Sequence, residues 1–127
     1  MNQILLVAIG GAIGSVARFK LSGWVLHATP NWRFPVGTLA VNLAGCLIAG
    51  LLAGMAVKQD VFTPETRLLL FTGLLGGFTT FSAFGLETLL LFKRGEPAVA
   101  IANVVISVVA GLLVAWLGYE LTARSVS

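Results

Sequence analysis

Between Thr72 and Thr88 the chain reads Thr-Gly-Leu-Leu-Gly-Gly-Phe-Thr-Thr-Phe-Ser-Ala-Phe-Gly-Leu-Glu-Thr, and this stretch gathers most of the residues able to handle an ion. Its hydroxyls can donate to an anion, and backbone carbonyls freed by a weakened helix can ligate a hard cation. Gly73, Gly76 and Gly77 are expected to weaken the helix, with Thr79 and Thr80 supplying hydroxyls and exposed carbonyls just after it. Close helix packing is the other use of such glycines. Carbonyls from two such breaks, meeting on a two-fold axis, would make a cation site of hard ligands. Phe81 and Phe84 stand three apart and share one helical face, with Ser82 nearby. Core or lipid contact is the ordinary role of such a pair, but an aromatic ring has a positive edge, and rings turned edge-on could line a narrow path for a small anion.

Other polar residues interrupt apolar runs elsewhere. Arg18 lies far enough inside its run to need a water-filled vestibule, an acidic partner or a snorkelling route to the headgroups, since a central arginine costs roughly 2.5 to 3.5 kcal/mol to insert. Lys20, nearer the end, snorkels easily. Asn42 follows Thr38 by one helical turn and serves either as interhelical glue or as an amide offering donors to an anion. Asn103 and Ser107, four apart, lie on one face and extend a polar stripe that could face Asn42. Glu87 is by default a proton or cation site, with pairing to Lys93 or Arg94 as the plainer alternative. Cys46 is the only cysteine and reads as a small core residue, so neither an intrachain disulfide nor a cysteine metal cluster is available. His27, the only histidine, is an interfacial residue rather than a ligand.

These residues need elements to hold them, and composition says what kind. Of 127 residues, 57% are hydrophobic and 10% charged, which is the balance of an integral membrane protein and not of a soluble domain. A span takes roughly 20 apolar residues. Four spans are expected, from Ile4 to Leu26, Val36 to Val57, Arg67 to Phe92 and Ala98 to Leu121, making residues 1–127 one all-α membrane domain. Pro30 and Pro35 bracket the first loop, Asp60 and Pro64 mark the second, and Lys93-Arg94-Gly95-Glu96-Pro97 forms the third. The first apolar run continues into glycines and Arg18 without a basic leader, so it reads as a span and not as a removable signal peptide.

The formal charge of +3 is spread over the loops, which points to membrane-interface anchoring and away from nucleic acid. Lys58, Arg67 and Arg124 fall on one side of the four spans, and Arg33, Lys93 and Arg94 on the other, so the positive-inside signal nearly cancels. Such a chain can insert either way and form an antiparallel dimer. Four helices enclose little volume, and small residues at packing spacings (Gly10, Gly11 and Gly14; Gly50 and Gly54; Gly111 and Ala115) suit close association of helices.

The motifs resemble those of the CrcB or Fluc fluoride channels of microorganisms along nearly the whole chain. The matching segments are Gly10-Gly11-Ala12-Ile13-Gly14 with Arg18, Pro35-Val36-Gly37-Thr38-Leu39 leading to Asn42 and Gly45, and Thr72-Gly73 through Gly76-Gly77-Phe78-Thr79-Thr80-Phe81-Ser82 to Phe84 and Glu87. The resemblance implies a four-span subunit, its third helix broken near the membrane centre, acting as a dual-topology antiparallel homodimer with two fluoride pores in a bacterial plasma or inner membrane. It further implies a structural sodium ion held by backbone carbonyls at Gly76 and Thr79. Phe81 and Phe84 match pore-lining phenylalanines and Asn42 the pore asparagine, while Arg18 matches a vestibule arginine. Thr38, Ser82, Glu87 and Thr88 would lie on polar conduction surfaces, and Ser107 keeps a fourth-span hydroxyl where Gly111 lacks the second one found in some members.

A strongly hydrated anion such as fluoride needs donors to replace water, and Asn42, the hydroxyls and the ring edges of Phe81 and Phe84 would supply them. Export would then be passive, driven by the membrane potential and by dissociation of hydrogen fluoride inside the cell. The chief rival is a four-span, proton-coupled small multidrug transporter, which would want a carboxylate deep in an aromatic chamber; Glu87 is the main candidate and no cage around it is evident. A structural membrane subunit would have no use for the polar third span, and an enzyme has no visible nucleophile, base or metal cluster.

Overall fold

A helix satisfies all of its interior backbone groups within one segment, which is why long apolar runs adopt it away from water. In the computed structural model, which describes residues 2–30, 33–57 and 61–126, four helices are long and apolar enough to cross a membrane. Helix α1 is Gln3–Ala28 and α2 is Val36–Met55. The third span, Pro64–Lys93, is bent and divided into α3, residues 64–78, and α4, Phe81–Lys93. Helix α5 is Pro97–Val126. Lys58 and Asp60, expected in the second loop, lie outside the described residues.

Local chemistry fixes the helix ends. Asn2 accepts the Ile4 N–H at 2.8 Å, and Thr63 accepts the Thr66 N–H at 3.1 Å with Pro64 in the first turn. Between α4 and α5, Gly95 takes the left-handed conformation at φ 78°. Its N–H donates to the Phe92 carbonyl at 3.1 Å and that of Glu96 to the Leu91 carbonyl at 2.9 Å, so the helix closes on a glycine cap before Pro97 starts the next. Arg33 and Glu96, 3.2 Å apart, join the first and third loops.

Two helix pairs make the bundle. Helix α2 packs most extensively on α5, where Gly50 meets the Ala115 backbone and the Thr122 hydroxyl donates to the Leu51 carbonyl at 2.7 Å. Helix α1 packs on α3 so closely that a Cβ at Gly10 would stand 2.6 Å from the Leu69 carbonyl oxygen, and one at Gly77 2.5 Å from that of Gly11. Gly73 and Gly77 are therefore contact surfaces, and Gly73, Gly76 and Gly77 all lie in helical backbone. Close packing is thus the use of Gly73 and Gly77, and none of the three is itself the point where the helix stops. Instead, Leu68–Leu75 is wound as a π-helix, a form that recurs at functional sites, and the interruption comes later, at Thr79 and Thr80.

Among the described residues the buried apolar core is small: Leu6, Val41, Leu75, Leu91 and Ala100. Large side chains such as Phe19, Trp24, Leu112 and Trp116 point outward, an arrangement suited to hydrocarbon and not to water.

Candidate functional site

At the break the backbone is extended, with Thr79 at φ −88°, ψ 158° and Thr80 at φ −149°, ψ 117°. Thr79 still belongs to the turn before it, because its N–H and its hydroxyl both donate to the Leu75 carbonyl, at 3.0 and 2.9 Å. Thr80 belongs to the turn after it. Its hydroxyl accepts the Ala83 N–H at 3.1 Å and so caps α4.

Two side chains from neighbouring helices cover groups the break exposes. Asn42 reaches from α2 and pairs with Thr80 as one peptide pairs with another: its Nδ2 donates to the Thr80 carbonyl at 3.0 Å, and its Oδ1 accepts the Thr80 N–H at 2.9 Å. Arg18 reaches from α1, where its Nε donates to the Gly77 carbonyl at 3.1 Å. Arg18 has no ion pair among the described residues; it serves a carbonyl that α3 leaves open. Because the Thr80 N–H goes to Asn42 and the Ala83 N–H to the Thr80 hydroxyl, the Gly76 and Thr79 carbonyls lack their usual helical donors four residues on.

Two cavities flank Thr80. The first, about 510 Å3, is lined by Asn42, Cys46, Gly76, Thr79, Phe81, Phe84 and Ser107. Phe81 is 83% exposed, and its ring centroid is 5.7 Å from that of Phe84 at a tilt of 47°. The second, about 400 Å3, is lined by Ser15, Arg18, Ser22, Thr38 and Glu87. A third of about 230 Å3, between the loops, shares Ser22, Leu26, Thr38 and Glu87 with the second and adds Arg33 and Arg94. Together these two form a polar groove leading from the loops to the break.

The structure thus divides the expected residues. Asn42, Phe81, Phe84, Ser107, Gly76 and Thr79 meet at the aromatic cavity, while Thr38, Arg18 and Glu87 meet in the polar groove. The Thr38 hydroxyl donates to Glu87 Oε1, so the carboxylate's partner is a threonine on α2 and not Lys93 or Arg94. Ser82 is exposed beside the break, 3.3 Å from the Thr80 hydroxyl, and lines none of the three cavities. Thr88 is buried between α4 and α5 rather than set on a cavity wall, its hydroxyl donating to the Phe84 carbonyl at 2.7 Å. Asn103 does not face Asn42 either; it donates to Thr88 across the α4–α5 contact at 2.9 Å. The π-helix before the break was not foreseen, and nothing in Leu68–Leu75 beyond Gly73 marks it.

Four long apolar helices, one of them broken beside an aromatic cavity, define a small multi-pass membrane protein. Residues 5–119 match the family described as CrcB-like protein, Camphor Resistance (CrcB), and the chain belongs to it. It is 59% identical over 121 residues to a protein of Methylobacillus flagellatus named "Fluoride-specific ion channel FluC", covering 95% of this chain and 94% of that one. Relatives of the same name in Rhizobium johnstonii and Pseudomonas putida are 46% and 44% identical, covering 90% and 94% of this chain and 96% and 95% of theirs. The relatives so named are channels, not enzymes.

Proposed function

We propose that this chain is a fluoride-selective channel that lowers cytoplasmic fluoride by passive export across a bacterial plasma membrane. The observation that carries the reading is the placement of the Phe81–Phe84 pair on one cavity with Asn42, whose amide holds the break open. The naming of relatives covering nearly the whole chain supports the choice of ion.

Asn42 uses one of its two amide hydrogens on the Thr80 carbonyl, which leaves the second for an anion in the cavity. The positive ring edges of Phe81 and Phe84 add weak, non-trapping contacts along the same wall. Donors this sparse favour a small anion that can sit close to each of them. In the polar groove Arg18 supplies positive potential near the break, and the Thr38 hydroxyl partly satisfies the Glu87 carboxylate that would otherwise oppose an anion.

Two further parts belong to the proposal. Two copies in antiparallel orientation, as the nearly cancelled charge bias permits, would pair their breaks and form two pores. The Gly76 and Thr79 carbonyls, freed of their helical donors, fit a structural sodium ion between the copies, because hard oxygen ligands are what such an ion takes. A bound cation there would offset the facing carbonyl dipoles next to the anion path.

The test uses purified protein in liposomes. Rapid fluoride efflux with little chloride efflux supports the channel; proton-coupled uptake of cationic dyes without fluoride flux overturns it.

A further inference from the structure

Asn103 is 2% exposed in the second turn of α5, and its amide stands in a chain of hydrogen bonds that begins at the aromatic cavity and ends on the backbone of α4. Ser107, on the cavity wall, donates to Asn103 Oδ1 at 3.3 Å. Asn103 Nδ2 donates to the Thr88 hydroxyl at 2.9 Å, and that hydroxyl donates to the Phe84 carbonyl at 2.7 Å. The polarity is uniform, with every donor pointing away from the cavity. Ser107 therefore turns its hydrogen inward and shows the cavity only lone pairs, the wrong face for an anion.

An asparagine amide has a donor and an acceptor at nearly the same positions, so rotating it by half a turn reverses the chain without moving a helix. Asn103 Nδ2 then donates to the Ser107 oxygen, and the Ser107 hydrogen is free to donate into the cavity. Thr88 donates to Asn103 Oδ1, while the Phe84 carbonyl keeps the Thr88 N–H as its ordinary helical partner. Each state uses one of the two Asn103 amide hydrogens, and with an anion present the reversed state also gives the Ser107 hydrogen an acceptor. The inward state, with the Ser107 hydrogen on Asn103, is the one the structure holds and is taken as the resting one. The longest bond of the chain, from Ser107 to Asn103, is the one an anion would have to break.

We propose that Asn103 is a positioning residue that sets the direction of the Ser107 hydroxyl, so that Ser107 donates to an anion only when the Asn103 amide reverses. Asn103 touches no ion itself. The proposal rests on the channel reading above and adds a residue to which that reading assigns no role.

The test is fluoride efflux from liposomes carrying the full-length protein, its Asn103→Leu and Ser107→Ala variants, and the double variant, each checked for assembly by size-exclusion chromatography. Leucine fills the amide's space but cannot support Ser107, which falls back on its own helix carbonyl. Each single change lowers flux by about tenfold, as expected for one polarised hydrogen bond, and the double variant loses no more than either. Losses that multiply to about a hundredfold, or unchanged flux in Asn103→Leu, overturn the coupling. If the leucine variant does not assemble, Asn103→Ser, too short to bridge Thr88 and Ser107, takes its place with the same expected outcomes. Absence of fluoride flux from the unmodified protein removes the channel reading and the coupling with it, whereas normal flux with multiplying losses removes the coupling alone.

Discussion

On one side of Thr80 the cavity beside Phe81 and Phe84 carries no charged side chain among the described residues that line it, whereas the groove on the other side holds both Arg18 and Glu87. The two surfaces share the same extended backbone and differ in what surrounds it. Full charges are tolerated where the groove runs toward the loops and Arg33 and Arg94. The aromatic side relies on partial charges alone, from an amide, a hydroxyl, ring edges and carbonyls. A selective surface for a small anion benefits from that restraint, because a full positive charge in apolar surroundings would trap the ion instead of passing it. On the proposed function, the groove would serve collection and the cavity selection.

The strongest way to break this division is to separate α1 from α3, since that contact holds the break in place for both sides. A Cβ at Gly14 would run into the Leu74 carbonyl and lie 2.9 Å from the Phe78 nitrogen, and backbone cannot give way as a side chain can. Gly14→Val is expected to cost about 3 kcal/mol or more and to yield protein without a sharp size-exclusion peak in detergent. A monodisperse, fluoride-conducting Gly14→Val protein would show that the two helices need not approach this closely.

Next in size is Asn42→Leu, which strands the N–H and C=O of Thr80 together. Each lost partner costs on the order of 1 to 3 kcal/mol, so a clear fall in the melting temperature is expected alongside a flux loss of about a hundredfold. Retained stability with lost flux would make Asn42 a pore residue only and not a support of the break. Phe81→Ile should act on one side alone. Its ring is 83% exposed within the subunit, so subunit stability should change by no more than about 0.5 kcal/mol while fluoride flux falls by about tenfold or more. Unchanged flux would take the ring off the conduction path.

Which of these residues could be found from the sequence follows from how each is held. Four apolar runs specify four helices, because length and hydropathy alone decide that question. The concentration of glycine, hydroxyl and phenylalanine in one run pointed to the third span as the irregular one, and it is. That Gly73 and Gly77 meet the backbone of α1 is beyond the sequence, because no local signal reveals a contact so far away in the chain. The same holds for partners. Asn42 bonds a backbone peptide on another helix, Glu87 a threonine at position 38, and Asn103 a threonine across the α4–α5 turn. Residue type announced that each needed a partner, and only the packing of helices decided which.

The smallest expected effect sharpens the comparison most, because it separates two roles of one side chain on the polar side. Arg18 donates to the Gly77 carbonyl and also brings the groove its deepest positive charge. Arg18→Gln retains an amide that can donate to that carbonyl while removing the charge. If Arg18 mainly concentrates anions, fluoride flux should fall by about threefold at low ionic strength and recover toward the unmodified value as salt rises, since a field acting over several ångströms is screened at a Debye length of about 8 Å in physiological salt. Stability should be nearly unchanged, because the carbonyl keeps a donor. A loss of flux independent of salt and accompanied by a lower melting temperature would instead assign Arg18 to holding the end of α3, and the polar groove would then be defined by Thr38 and Glu87 without an electrostatic contribution from α1.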